Sequence, residues 1–177
     1  NANNKGEIKM NKLVRKLSLL IIVVFIGCED NNNDDNKMEI IEIVTDNISE
    51  GTYYFNFVSG KKDNSQWHLV YQNLDAGQGF KMPSISINNS VMLAIDNSIK
   101  FEEIEQSPSS SAFTPESGRM KYQGSNAVLN YNMTTHKVTT STDNYIIYDT
   151  VTHKVFKIYF NEYNSGVVSF KYAELSK

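Results

Sequence analysis

The sequence holds one cysteine, Cys28, in 177 residues. A lone thiol closes no internal disulfide, so whatever folds here rests on its core. Histidines number three, His68, His136 and His153. They are far apart, with no i, i+2 or i, i+4 pairing. A zinc site needs three or four converging N, S or O ligands, and this spacing supplies none. Positive charge is also short, with 17 Lys+Arg against 20 Asp+Glu and a formal charge of −3. No basic surplus marks a nucleic-acid binder. GxSxG, HExxH, the Walker loop and the Rossmann glycine pattern are all missing. Glu102, Glu103 and Glu105 cluster on one short segment, which reads as a solvated face rather than an acid–base pair. The expectation is a protein that is not an enzyme.

No apolar run reaches the roughly 20 residues of a membrane span. The longest begins inside MNKLVRKLSLLIIVVFIGC, residues 10–28. Lys12, Arg15 and Lys16 give a positive start, Leu17 to Ile26 an apolar centre, and small Gly27 precedes Cys28. This is signal-peptide grammar, and FIGC looks like a bacterial lipobox with Cys28 as the lipidated residue. The plainer alternative is a secretory signal that happens to end near a cysteine. Residues 1–28 are assigned to the signal, with 1–9 upstream of a better start at Met10. Cleavage before Cys28 removes five of the 17 Lys+Arg and one of the 20 Asp+Glu. The mature chain then has 12 against 19, a formal charge of −7. Residues 29–37 open with EDNNNDDN, which has no apolar residue to bury and reads as a disordered acidic tether. An acidic run just after the cysteine resembles the surface-export signal of Bacteroidota lipoproteins; a plain solvated linker is the alternative.

What is plentiful is aromatic and β-branched. Ten tyrosines and nine phenylalanines stand beside many Ile, Val and Thr, a set that suits pleated, half-buried strands. From Met38 the hydrophobic period is mostly two. GTYYFNFVSG puts Tyr53, Phe55 and Phe57 on one face. QWHLVYQ puts Trp67, Leu69 and Tyr71 toward a core, with His68 and Val70 opposite. MEIIEIV, SISI, VMLAI and AVLNYNMTT are further strand candidates. KFEEIEQ is ambiguous between a helical turn and a strand, and SPSSSAFTPESG is a long polar loop. NYIIYDTVTHKVFKIYFNEY is a hairpin turning near Thr150 to His153. Phe156, Ile158 and Phe160 share one face of its second arm, and Val168, Phe170 and Tyr172 share a face of the closing strand. Short connections make these three strands adjacent and antiparallel. The fold expected for residues 38–177 is one mainly β domain, an antiparallel β-sandwich or open barrel. No internal repeat is visible at this level.

Histidine chemistry reads as bland. His153 lies in the hairpin turn, where solvation is the simple reading, and His136 is a weak pocket candidate. Met133 reads as packing. Met92, in NSVMLAI, and Met120, in the polar ESGRMKYQG, are less easily placed. Methionine usually fills core gaps, but its thioether also ligates haem iron.

Three segments together resemble the HmuY-like haem-binding lipoproteins of Bacteroidota. QWHLVYQNLD resembles their WDIAF-type strand, although His68 stands where that family usually has aspartate. KFEEIEQSP resembles their DFDAV-then-proline segment. NYIIYDTVTHKVFKIYFNEYNSGVVSFKYAEL resembles their closing strand, hairpin and glycine-led final strand. The likeness spans about residues 50–175 and is most specific at its C-terminal end. It implies a mostly β fold that grips haem b from both faces. It also implies a haemophore that takes haem from host or environmental carriers and delivers it to a TonB-dependent outer-membrane receptor. Such a protein would be lipid-anchored at the outer membrane and exposed at the cell surface. Family members use two histidines or two methionines as axial ligands, on either side of the DFDAV-like segment. The residues in those places are Met92 and Met120, and no histidine lies between His68 and His136. The resemblance therefore implies Met92 and Met120 as candidate axial ligands, with redox-dependent binding because thioethers favour ferrous iron. Tyr122 and Phe113 are candidate ring contacts or ordinary loop aromatics. The alternative is a non-haem interaction or structural lipoprotein, an adhesin or complex subunit, on the same fold.

Overall fold

The computed structural model describes residues 38–176. The signal segment, Cys28 and the acidic tether lie outside the described residues, as do the expectations that fall on them. The fold is mainly β and antiparallel, as the period of two predicts.

Twelve strands follow in chain order: β1 Ile41–Val44, β2 Tyr53–Asn56, β3 Lys61–Lys62, β4 Leu69–Gly77, β5 Phe80–Ile87, β6 Val91–Ile95, β7 Thr114–Pro115, β8 Leu129–Asn132, β9 Lys137–Thr140, β10 Tyr145–Asp149, β11 Val155–Asn164 and β12 Val167–Leu175. Six form one sheet in the order β1-β12-β11-β10-β6-β7, and four form a second in the order β3-β2-β4-β5. The β8–β9 hairpin stands as a pair. The architecture is thus a sandwich rather than an open barrel. The three C-terminal strands are adjacent and antiparallel, in the register their short turns require.

The inner face of each sheet carries alternate residues, as pleating demands. Phe55, Leu69, Tyr71 and Ile85 meet Leu93, Ile147, Phe160 and Phe170 in the main core. The Phe55 ring sits edge-on to Phe170 and Tyr172, with centroids 5.5 and 5.6 Å away. Residues of opposite phase lie on the outer face of the six-stranded sheet. There Ala94, Ile146, Val155 and Leu175 form a smaller core with Ile104 and Phe113, which belong to the non-periodic stretch between β6 and β7. KFEEI resolves as a 3-10 turn at Phe101–Glu103.

Three readings are corrected. Trp67 does not join the main core; it is half-buried against the Tyr54 ring at 5.3 Å. His68 is the buried residue, at 8% exposure, because β4 begins only at Leu69 and alternation does not run back through the preceding bend. Met133 does not pack: it is 76% exposed at a hairpin turn. A short repeat also appears. YNMTTHKV (residues 131–138) and YDTVTHKV (148–155) build matching turns. In each, the histidine N–H donates to the carbonyl four residues back, His136 to Asn132 at 2.8 Å and His153 to Asp149 at 2.9 Å. In each, a histidine takes a left-handed φ, 55° at His136 and 60° at His153. The tyrosine hydroxyl lies 2.6 Å from the histidine Nδ1 in both. The signal was present in the sequence, at a length too short for repeat architectures to draw attention to it.

Candidate functional site

A groove of about 1080 Å³ lies against the start of β1. Met38 to Ile41 form one side and the Val58-Ser59-Gly60 turn another; Ile40, Ile41 and Val58 carry the open apolar surface, over a floor of nearly buried Phe57, Phe156 and Tyr172. Asn56 shapes the turn: its Oδ1 accepts from the N–H groups of Val58 and Ser59 at 2.9 and 3.1 Å. Gly60 adopts φ 66°, and a Cβ there would approach the Tyr172 hydroxyl to 3.0 Å. Glycine at that position meets both demands.

His68 holds the Phe57 wall from behind. The Phe57 N–H donates to His68 Nδ1 at 3.0 Å. Nδ1 is therefore the acceptor nitrogen, which leaves Nε2 to carry the proton toward Asp149 Oδ2, 3.3 Å away. Asp149 ends β10 on its inner face, so this contact ties the two sheets together. Burial raises the Asp149 pKa, but hydrogen bonds from Thr152 and Val151 and the nearby His68 outweigh it and hold the carboxyl below its ordinary value.

Charge in the groove is unequal. Glu39, Glu102, Glu105 and Glu174 line it, against a single lysine, Lys157. The Lys157 ammonium is already engaged, donating to the carbonyls of Phe101 and Ile104 at 2.7 and 2.8 Å. Burial holds its pKa below the ordinary lysine value. Lys157 alternates with Phe156 and Ile158, so its phase alone reads as solvent-facing. It is buried because the Phe101–Glu103 turn covers it, and no periodicity announces that cover.

A second cleft, of about 340 Å³, lies between Ile99–Glu102 and Asn144, Tyr159 and Lys171. The Lys171 ammonium stands over the Phe101 ring at 4.8 Å and pairs with Glu102.

The two methionines implied by the resemblance are not brought together. Met120 is 0% exposed and belongs to the main core. Its loop turns back through Glu116, whose carboxylate accepts from the N–H groups of Gly118 and Met120. Met92 shares the outer face of β6 with Ala94 and packs against the smaller core. Val91 and Leu93, its neighbours in the strand, point to the main core. The six-stranded sheet therefore separates the two thioethers, and neither opens on the groove. Met38 is the methionine that does. Phe113 packs beside Tyr148, with centroids 5.7 Å apart, and Tyr122 is half-buried in the Met120 loop. His136 lines neither cavity. Among the described residues no three His, Cys, Asp or Glu side chains gather to hold a metal ion.

Haem b would bring two propionates. In the groove they would meet four glutamates and one lysine already committed to carbonyls. The residues present there do not fit that group.

No family model matches the chain, and no curated protein matches it. Among solved structures it is similar to apo PinO from Porphyromonas gingivalis, with TM-score 0.49 and 11% identity over 79% of this chain and 98% of that one. A likeness at that level carries no argument about this chain.

Proposed function

We propose that the protein is a non-catalytic surface lipoprotein that recognises a partner through the groove beside β1, without haem. The observation behind this reading is the groove's makeup: an apolar floor, a carboxylate-rich rim and an exposed strand at its side. The lipobox-like FIGC and acidic EDNNNDDN support anchoring at Cys28 and exposure at the outer membrane.

A second reading is haem b capture and delivery to a TonB-dependent receptor. It is favoured by QWHLVYQNLD, KFEEIEQSP and the C-terminal segments. Titration with haemin, oxidised and then dithionite-reduced, separates the two. No saturating Soret shift is expected in either state. A one-to-one shift that sharpens on reduction, and is lost in both Met92→Leu and Met120→Leu, would replace the first reading with the second.

A further inference from the structure

We propose that β1 and the adjoining groove take an extended, lysine- or arginine-bearing peptide segment of another protein as an added strand. This rests on the non-haem reading above and names the partner's chemistry.

Strand β1 is an edge of the six-stranded sheet, paired among the described residues with β12 alone. The Thr45 N–H donates to the Val168 carbonyl at 2.9 Å, which sets the ladder's phase. By that phase Ile41 and Ile43 turn their main-chain polar groups toward β12, and Glu42 and Val44 turn theirs outward. Outward N–H and C=O groups are what an incoming strand requires. Edges are usually blunted by lysine, proline or a bulge. IEIV has none of these; it is a short strand of four residues, and its one charge, Glu42, has the sign a cationic segment meets. Its apolar side chains are open as well, with Val44 69% and Ile41 36% exposed.

Charge selects among occupants. Glu39, Glu42 and Glu105 make no ion pair among the described residues, whereas Glu102 and Glu174 are matched by Lys171 and Lys154. The unmatched carboxylates lie along β1 and the groove rim. The chain's own tether is a poor occupant, because Glu29, Asp30, Asp34 and Asp35 carry the same sign. A second copy would set one β1 carboxylate edge against another. A cationic extended segment suits both the charge and the open main chain, with alternate apolar side chains available to the groove floor.

The test uses the full chain from Cys28 onward and fluorescence anisotropy. Three labelled decapeptides serve as probes: alternating Lys/Val, alternating Glu/Val, and Lys/Val with alternate backbone amides N-methylated. Saturable binding is expected for Lys/Val, weakening with salt. The Glu/Val and N-methylated peptides should bind at least roughly tenfold more weakly, since one reverses the charge and the other removes the strand's donors. Glu39→Lys with Glu105→Lys should weaken Lys/Val binding, and Val44→Pro should abolish it with the melting temperature kept. If Val44→Pro does not fold, the N-methylated peptide carries that arm. Equal binding of all three peptides, or none of Lys/Val, overturns the proposal. So does a dimer in sedimentation that Lys/Val does not displace, which would assign the edge to a second copy. Failure here with no haemin shift removes this occupant and leaves the non-haem reading standing; a haemin shift lost in both methionine variants removes both.

Discussion

Asn132 and Asp149 hold the same place in two matching turns, and their surroundings set their different weights. Asn132 Oδ1 accepts from the N–H groups of Thr134 and Thr135 at 2.9 Å each, at an exposed hairpin. Asp149 does the equivalent for Val151 and Thr152 and also faces buried His68. Asn132→Ala should cost about 1 kcal/mol, an ordinary turn hydrogen bond. Asp149→Ala should cost about 3 kcal/mol, because the buried His68 Nε2–H is left without a partner as the turn bonds are lost. Urea denaturation of the two variants checks this, and equal losses would contradict it. Asp149 also predicts a pH effect. Its folded pKa is depressed, so the folded state holds the anion more firmly than the unfolded chain does. That stabilisation is complete above the unfolded value of about 3.9 and is lost as pH falls through the folded value. Urea midpoints measured from pH 7 to pH 3 should therefore fall less steeply in Asp149→Asn than in wild type. Parallel curves would show that Asp149 contributes nothing to the slope.

At the scale of elements, the 116–128 loop shows what a family likeness can and cannot transfer. Met120 looks out of place in polar ESGRMKYQG, yet its side chain is fully buried in the main core. Met120→Ala should cost about 2–5 kcal/mol by loss of buried volume. Met120→Leu should cost less than about 1.5 kcal/mol, being a volume-conserving exchange. Thermal melts of the two variants decide it, and a near-wild-type Met120→Ala would remove the loop from the core. The strands around it were readable for a clear reason. Phe156, Ile158 and Phe160 lie on a strand with one face against the other sheet, so burial imposes a period of two. The cover over the outer face was not readable, because Ile104 and Phe113 come from a stretch with no period. That cover buries Lys157 and half-buries Met92, and their phase gives no warning of it. His68 departs from the alternating pattern for another reason: the bend before β4 breaks the alternation. Strand order was equally hidden, since β6 lies beside β10 and β1 beside β12 across long stretches of chain.

For the whole molecule, the proposed surface anchoring has physical consequences that can be measured. No helix among the described residues is long and apolar enough to cross a membrane. From Cys28 onward the formal charge is −7, so the chain is repelled by anionic headgroups rather than drawn to them. Polybasic attraction, a usual second anchoring signal, is therefore missing, and acyl chains on Cys28 would have to supply the whole affinity. At about 0.8 kcal/mol per buried CH₂, one chain holds only reversibly and two or more hold firmly. Anchoring should then be nearly all-or-none in the cysteine. Cys28→Ala should move the protein from the membrane fraction to the soluble fraction, with loss of palmitate labelling. Raising salt should not strip the wild-type protein, because no electrostatic attraction is there to screen. A Cys28→Ala protein that stays with membranes, or a wild type released by salt, would point to a protein partner as the tether. Surface exposure follows the same logic. Protease added to intact cells should degrade the wild-type domain, and replacing Glu29, Asp30, Asp34 and Asp35 by Asn should protect it if the acidic run directs export. Unchanged digestion after that replacement would leave the segment as a solvated linker and assign export to another feature.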